Sequence, residues 1–143
     1  QLSKSLDIKH KSSIYKSRDV RDQKASAHFL NQIVEIETDQ PFPSLRESLK
    51  AIEVSLGRER GNKDVVPLDL DVLTYNADVF IWNKHQIPEP GFMKHRYLIE
   101  PLSEIAPDFR HPANGKSIQQ ILKGIKETSQ VEKIKEVENG IKR

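Results

Sequence analysis

The sequence predicts an α+β fold of the ferredoxin-like kind, a mainly antiparallel sheet with helices on its faces, and three observations carry that prediction. Stretches that alternate apolar and polar residues lie on both sides of one strongly helical stretch. Turn-forming residues separate them at short intervals. The order strand, strand, helix, strand, helix then matches a sheet whose strands are joined by hairpins and helical crossovers.

Taken in order, Gln1 to Leu6 reads as the end of a helix, with Leu2 and Leu6 four residues apart. Asp7 to Tyr15 reads as a polar strand and the charged stretch Lys16 to Ala27 as a loop. From His28 to Ile36 the pattern predicts one strand, with Leu30, Gln32, Val34 and Ile36 on one face and Phe29, Asn31 and Ile33 on the other. Pro41 and Pro43 end it. Ser44 and Glu47 form a capping box ahead of Leu45, Leu49, Ile52 and Leu56, predicting a helix that stops near Gly57. Val65 to Tyr75 alternates strictly enough to predict a strand, and Val79 to Ile87 adds a short hairpin. After the turn residues Pro88, Pro90 and Gly91, short helical pieces are expected at Lys94 to Ile99 and Leu102 to Ile105, on either side of Pro101. Ile118, Ile121, Leu122 and Ile125 are spaced as a helix, and Val131, Ile134, Val137 and Ile141 extend it as a charged helical tail over 127–143.

The 143 residues suit a single domain. A net charge of +2 with 31% charged residues offers no polyanion-binding excess, so nucleic acid is not the expected partner. The absence of cysteine excludes disulfides, thiolate metal sites and cysteine nucleophiles. No run of about 18 apolar residues is present, so no membrane partner is expected and a cytoplasmic location is the simplest reading. With Met93 as the sole methionine and Gln1 in first place, an upstream segment is expected. His10, His28, His85 and His111 show no spacing that compels a metal site.

Asp69 and Asp71 stand two positions apart in the predicted strand, which puts both carboxylates on one face roughly 6 to 7 Å apart. Carboxylate oxygens suit a hard cation such as Mg²⁺, which is commonly held by one or two carboxylates together with substrate phosphates. A solvated strand face would carry the same pattern. Arg58 and Arg60, just beyond the helix, supply guanidinium forks matched to phosphate oxygens, although a helix C-terminus also favours cations for dipole reasons.

Four blocks then appear in sequence: Phe29-Leu30-Asn31, Ile52-Glu53-x-x-x-Gly57-Arg58-x-Arg60, Pro67-Leu68-Asp69-Leu70-Asp71-Val72, and Pro101-Leu102-x-Glu104-Ile105-Ala106-Pro107. Together they resemble the 6-hydroxymethyl-7,8-dihydropterin pyrophosphokinase family over roughly Tyr15 to Leu122. The resemblance implies transfer of pyrophosphate from ATP to a reduced pterin in folate biosynthesis. It implies two Mg²⁺ ions held by Asp69 and Asp71, and phosphate contacts from Arg58 and Arg60. Phe29 and Tyr97 would enclose the pterin ring, Asn31 would bond its edge and Ser17 would lie alongside. Glu53 and Val72 would line the nucleotide side, with Lys84 and Arg96 as further positive groups. Dihydropteroate synthase is a partner by family analogy.

The family pattern is broken at several places, among them a shorter loop after Arg60 and Lys16-Ser17-Arg18-Asp19 in place of a Thr-Pro-rich stretch. The family's opening Gly-Ser-Asn strand has no counterpart here. A phosphate-handling arginine aligns with Val66, a histidine with Glu89 and an arginine with His95, which leaves Arg96 as the neighbouring substitute. These departures keep open an alternative, a non-catalytic or altered-substrate relative that retains the fold as a nucleotide- or pterin-binding module.

Overall fold

The computed structural model describes residues 6–19, 29–60, 69–126 and 129–134, with side chains for all of these except 18–19, 58–60 and 129–130. The fold is α+β, with seven strands and three α-helices among the described residues, as expected of a ferredoxin-like sandwich. Two compact units divide the chain, one formed by residues 1–7 and 37–89 and the other by 8–36 and 90–143.

The first unit is built on helix α1 (Phe42–Arg60), which precedes the hairpin strands β5 (Phe80–Trp82) and β6 (His85–Ile87). The helix starts at Phe42, two residues before the anticipated Ser44, because prolines fit a first turn whose N–H groups have no helical partner. Its opening bond runs from the Leu45 N–H to the Pro41 carbonyl at 2.9 Å. Ser44 thus sits inside the first turn, and the expected Ser44–Glu47 capping box is not what starts the helix. Instead the Ser44 and Ser48 hydroxyls donate to Oε1 of buried Gln40 at 2.8 and 2.9 Å. The Tyr75 hydroxyl donates to the Gln40 carbonyl at 2.5 Å, tying the following segment to the start of the helix. Phe42, 5% exposed, packs edge-on against Tyr75, Phe80 and Trp82 with ring centroids 5.1 to 5.8 Å apart. The hairpin turns through Asn83 and Lys84 at φ 48° and 72°, the paired left-handed conformation that matches strand twist.

In the second unit the chain departs from the expected single strands. The predicted strand 7–15 and the start of the predicted loop 16–27 resolve into β1 (Asp7–Lys11) and β2 (Tyr15–Asp19), and the predicted strand 28–36 into β3 (Phe29–Asn31) and β4 (Val34–Glu37), while 20–28, like the expected helix end at 1–5, lie outside the described residues. β1 pairs with β4, while β2 is the centre of a sheet ordered β3-β2-β7, where β7 is Ser129–Lys133. The changeover lies at buried Ser12, whose hydroxyl accepts the Ile33 N–H at 3.0 Å and whose N–H donates to the Ile33 carbonyl at 2.9 Å. Tyr15 faces Asn31, so the path from Ser12 to Tyr15 holds one residue more than that from Asn31 to Ile33. That extra residue makes a bulge at Ser13–Ile14.

Strand β7 corrects the expected helical tail over 129–133, while 127–128 and 135–143 lie outside the described residues. Residues 129–133 pair antiparallel with β2 over its full length, Tyr15 opposite Lys133 and Ser17 opposite Val131. The β-bonding edge that β2 offers outweighs the helical spacing of Val131 and Ile134. Helix α2 (Arg96–Ile105) likewise runs unbroken through Pro101, where two pieces were expected. Ile99 and Pro101 are fully buried, so packing offsets the backbone bond that proline lacks. Helix α3 (Ile118–Gly124) begins with a complete capping box between Ser117 and Gln120. Phe92, Ile99, Ile118 and Ile121 form its shared core with α2.

Gly57 lies inside α1, which continues past the expected stop, and a Cβ at that position meets nothing within 4 Å. Gly57→Ala is therefore expected to stabilise the protein by about 0.5–1 kcal/mol, seen as a raised Tm in thermal unfolding.

Candidate active site

The first unit carries Glu53, Asp69, Asp71, Val72, Lys84 and Glu89. Asp69 and Asp71 lie in a segment without strand pairing, so the expected strand is not formed over residues 69–75, while 65–68 fall outside the described residues. Alternation nevertheless persists, with both aspartates exposed and Leu70 and Val72 half-buried. What fixes this segment is Glu53, whose Oε2 accepts the backbone N–H of Leu70 at 2.5 Å. A carboxylate on α1 thus holds the peptide between the two aspartates. Exposed oxygen donors of this type fit a hard cation that retains part of its water shell.

Arg58 and Arg60 occupy the last turn of α1, and their side chains lie outside the described residues, as does Val66. Lys84 is at the exposed tip of the β5–β6 turn. The Glu89 N–H donates to the Leu73 carbonyl at 2.8 Å. An open groove of about 600 Å³ between Arg46, Lys50, Ala51 and Val54 of α1 and Trp82 and His85 of the hairpin is not lined by Glu53 or by either aspartate.

The second unit carries Ser17, Phe29, Asn31, His95, Arg96 and Tyr97. Directly opposed residues of an antiparallel pair share a face, so the register Tyr15–Asn31 and Ser17–Phe29 places all four on one side of the sheet. Phe29 is 63% exposed and Ser17 is buried. An aromatic ring that exposed is available for stacking on a flat ligand. Tyr97, in the first turn of α2, stacks on His95 with centroids 4.8 Å apart and planes at 19°. Arg96 forms an i,i+4 ion pair with Glu100 at 3.5 Å.

One cluster escaped the sequence reading. The Glu104 carboxylate, on α2, accepts the Ser13 N–H at 3.1 and 3.2 Å, the Ser13 hydroxyl at 3.0 Å and the Tyr15 hydroxyl at 2.9 Å. Its available signal was the glutamate of the Pro101-to-Pro107 block, but its partners are 91 and 89 residues away and have no local pattern. Burial alone would raise the Glu104 carboxyl. The Ser13 N–H, the Tyr15 and Ser13 hydroxyls and the charge of Lys133 overcome that effect and hold it below the ordinary value. Tyr15, 6% exposed, is pushed up to about 12 by burial and by its bond to Glu104.

Among the described residues no group of three or more His, Asp or Glu side chains converges on a metal site, and no helix is long and apolar enough to cross a membrane. His10 pairs with Glu35 at 2.7 Å, and buried His111 stacks on Phe92, its basicity lowered by burial and by Lys116. His28 lies outside the described residues.

Residues 1–107 match the model of the 7,8-dihydro-6-hydroxymethylpterin-pyrophosphokinase family. The chain belongs to this family. It is 31% identical over 121 residues to the 2-amino-4-hydroxy-6-hydroxymethyldihydropteridine pyrophosphokinase of Synechocystis sp., covering 84% of this chain and 61% of that relative. A protein of the same name in Aquifex aeolicus is 27% identical, with 84% of this chain and 75% of that relative covered. A folic acid synthesis protein of Dictyostelium discoideum is 30% identical over 78% of this chain, which spans 17% of that much longer protein. The chain thus spans less than two thirds of the length of the Synechocystis pyrophosphokinase.

Two outcomes are expected from this geometry. Because Tyr15 is raised from 10.0 to about 12, its contribution to stability is complete below pH 10 and is lost as pH rises from there to about 12. Glu104 is depressed, so its contribution is present above its ordinary range and is lost as pH falls through the folded value. Tm measured against pH should show both losses, the alkaline one absent in Tyr15→Phe and the acid one absent in Glu104→Gln. Separately, Lys84 is non-glycine at φ 72°, so Lys84→Gly should raise stability by about 1 kcal/mol in chemical denaturation.

Proposed function

We propose that the chain transfers pyrophosphate from ATP to the hydroxymethyl group of 6-hydroxymethyl-7,8-dihydropterin in folate biosynthesis. The observation that carries this reading is the Glu53–Leu70 bond, which holds the Asp69–Asp71 segment against α1 within a chain whose family is a pterin pyrophosphokinase family. The pterin hydroxyl oxygen forms a bond to the β-phosphorus, and the bond from that phosphorus to the oxygen it shares with the α-phosphorus breaks. The electron pair leaves with AMP, and the hydroxyl proton is released. No nucleophilic side chain is needed, so the protein's task is alignment and charge stabilisation.

In this reading Asp69 and Asp71 hold Mg²⁺, two ions as in the family pattern, and the metal supplies neutralisation of the triphosphate when bound. Arg58 and Arg60, at the end of α1, bind phosphate oxygens, with Lys84 and Arg96 as further positive groups. Glu53 keeps Leu70 and Val72 in place beside the nucleotide. Phe29 and Tyr97 stack on the pterin, Asn31 reads its edge through donor and acceptor atoms, and Ser17 lines the same face. A cytoplasmic setting, and association with dihydropteroate synthase, belong to the same proposal. The latter draws support from the match to a segment of longer folic acid synthesis proteins.

The alternative, a binding module without catalysis, is favoured by Glu89 and His95 standing where the family places histidine and arginine. AMP formation from Mg-ATP, with and without the pterin, separates the two. Pterin-dependent AMP is expected, falling at least about a hundredfold in Asp69→Ala and in Asp71→Ala, because each removes charge-assisted contacts made in the transition state. Pterin binding without AMP would establish the module instead.

A further inference from the structure

Glu104 does more than join a helix to a sheet, because of what it grips. Ser13 is in the bulge, where the chain changes partner from β4 to β3 and an extra residue leaves the strand ladder. A bulged N–H has no partner strand to bond, and this one is taken by the Glu104 carboxylate together with the Ser13 hydroxyl. The same carboxylate takes the hydroxyl of Tyr15, the first residue of β2. Tyr15 is opposite Asn31, and Ser17, two residues on, is opposite Phe29. If the bulge slipped by one residue, Tyr15 and Ser17 would turn to the opposite face of the sheet and would no longer share one with Asn31 and Phe29. β7 reinforces the arrangement, placing Lys133 opposite Tyr15 on that face, where its charge acts on Glu104.

We propose that Glu104 is a positioning residue for pterin recognition: by fixing the Ser13 bulge and the Tyr15 hydroxyl, it sets the register in which Ser17, Phe29 and Asn31 meet the substrate. The proposal rests on the pterin pyrophosphokinase reading above. Glu104 itself contacts neither substrate.

The test is steady-state kinetics of the full chain with Mg-ATP and 6-hydroxymethyl-7,8-dihydropterin, with pterin binding followed by fluorescence, for wild type, Glu104→Ala, Glu104→Gln and Tyr15→Phe. Glu104→Ala should raise the KM for pterin about tenfold, with the KM for ATP and kcat changed less than about threefold. Glu104→Gln should return the pterin KM close to wild type, since its amide oxygen still accepts from Tyr15 and Ser13. Should Glu104→Ala fail to fold, Tyr15→Phe, which removes one hydroxyl, must show the same selective rise. An unchanged pterin KM in a folded variant, or equal rises in both KM values together with a lowered Tm, would overturn the proposal. A wild-type chain that neither binds nor turns over the pterin would instead sink the functional reading, and this proposal with it.

Discussion

The carboxylate of Glu104 is the constraint on which the second unit depends. It gathers three donors, from a backbone bulge and from the first residue of the central strand, onto one helix. Donors aimed at a charged acceptor bond more strongly than neutral pairs, and here they satisfy groups that an extra residue in a strand leaves unpaired. Around that point β2 keeps two partners, β3 and β7, while β1 and β4 continue separately. Moving the bulge would turn Tyr15 and Ser17 away from the face that they share with Asn31 and Phe29.

A similar device operates in the first unit with different chemistry. Gln40, buried at 4% exposure, accepts two serine hydroxyls from α1 through its side chain and the Tyr75 hydroxyl through its backbone. Glu53 then takes the Leu70 N–H from further along the same helix. The Asp69–Asp71 segment, which lacks strand pairing among the described residues, is thus held at its middle by Glu53 and beyond its end by Tyr75. Exposed carboxylates on a segment anchored in this way are held near one place without being buried, which suits ligation of a hydrated cation more than an unpaired interior charge.

Family membership and local chemistry bear on different questions. The family match covers residues 1–107, which include the four sequence blocks, and the bond from Leu70 to Glu53 joins a helix residue of one block to a loop residue of the next. His95 stacks on Tyr97, so an imidazole occupies one face of that ring, and Arg96 is engaged with Glu100.

The sequence by itself determined the α+β class, α1, the β5–β6 hairpin, α3 and the alternating exposure of Asp69 and Asp71, since each follows from apolar spacing or turn chemistry within a few residues. It also held the four blocks that identify the family. Tertiary structure alone decided the rest. The break at Ser12, the strand in place of helix over 129–133 and the passage of α2 through Pro101 each depend on a partner distant in sequence. Local spacing records which face of an element is apolar, but not which edge it will bond. Glu104 shows the same limit, because nothing near it in the chain announces Ser13 and Tyr15, and only folding brings a carboxylate to the bulge that needs one.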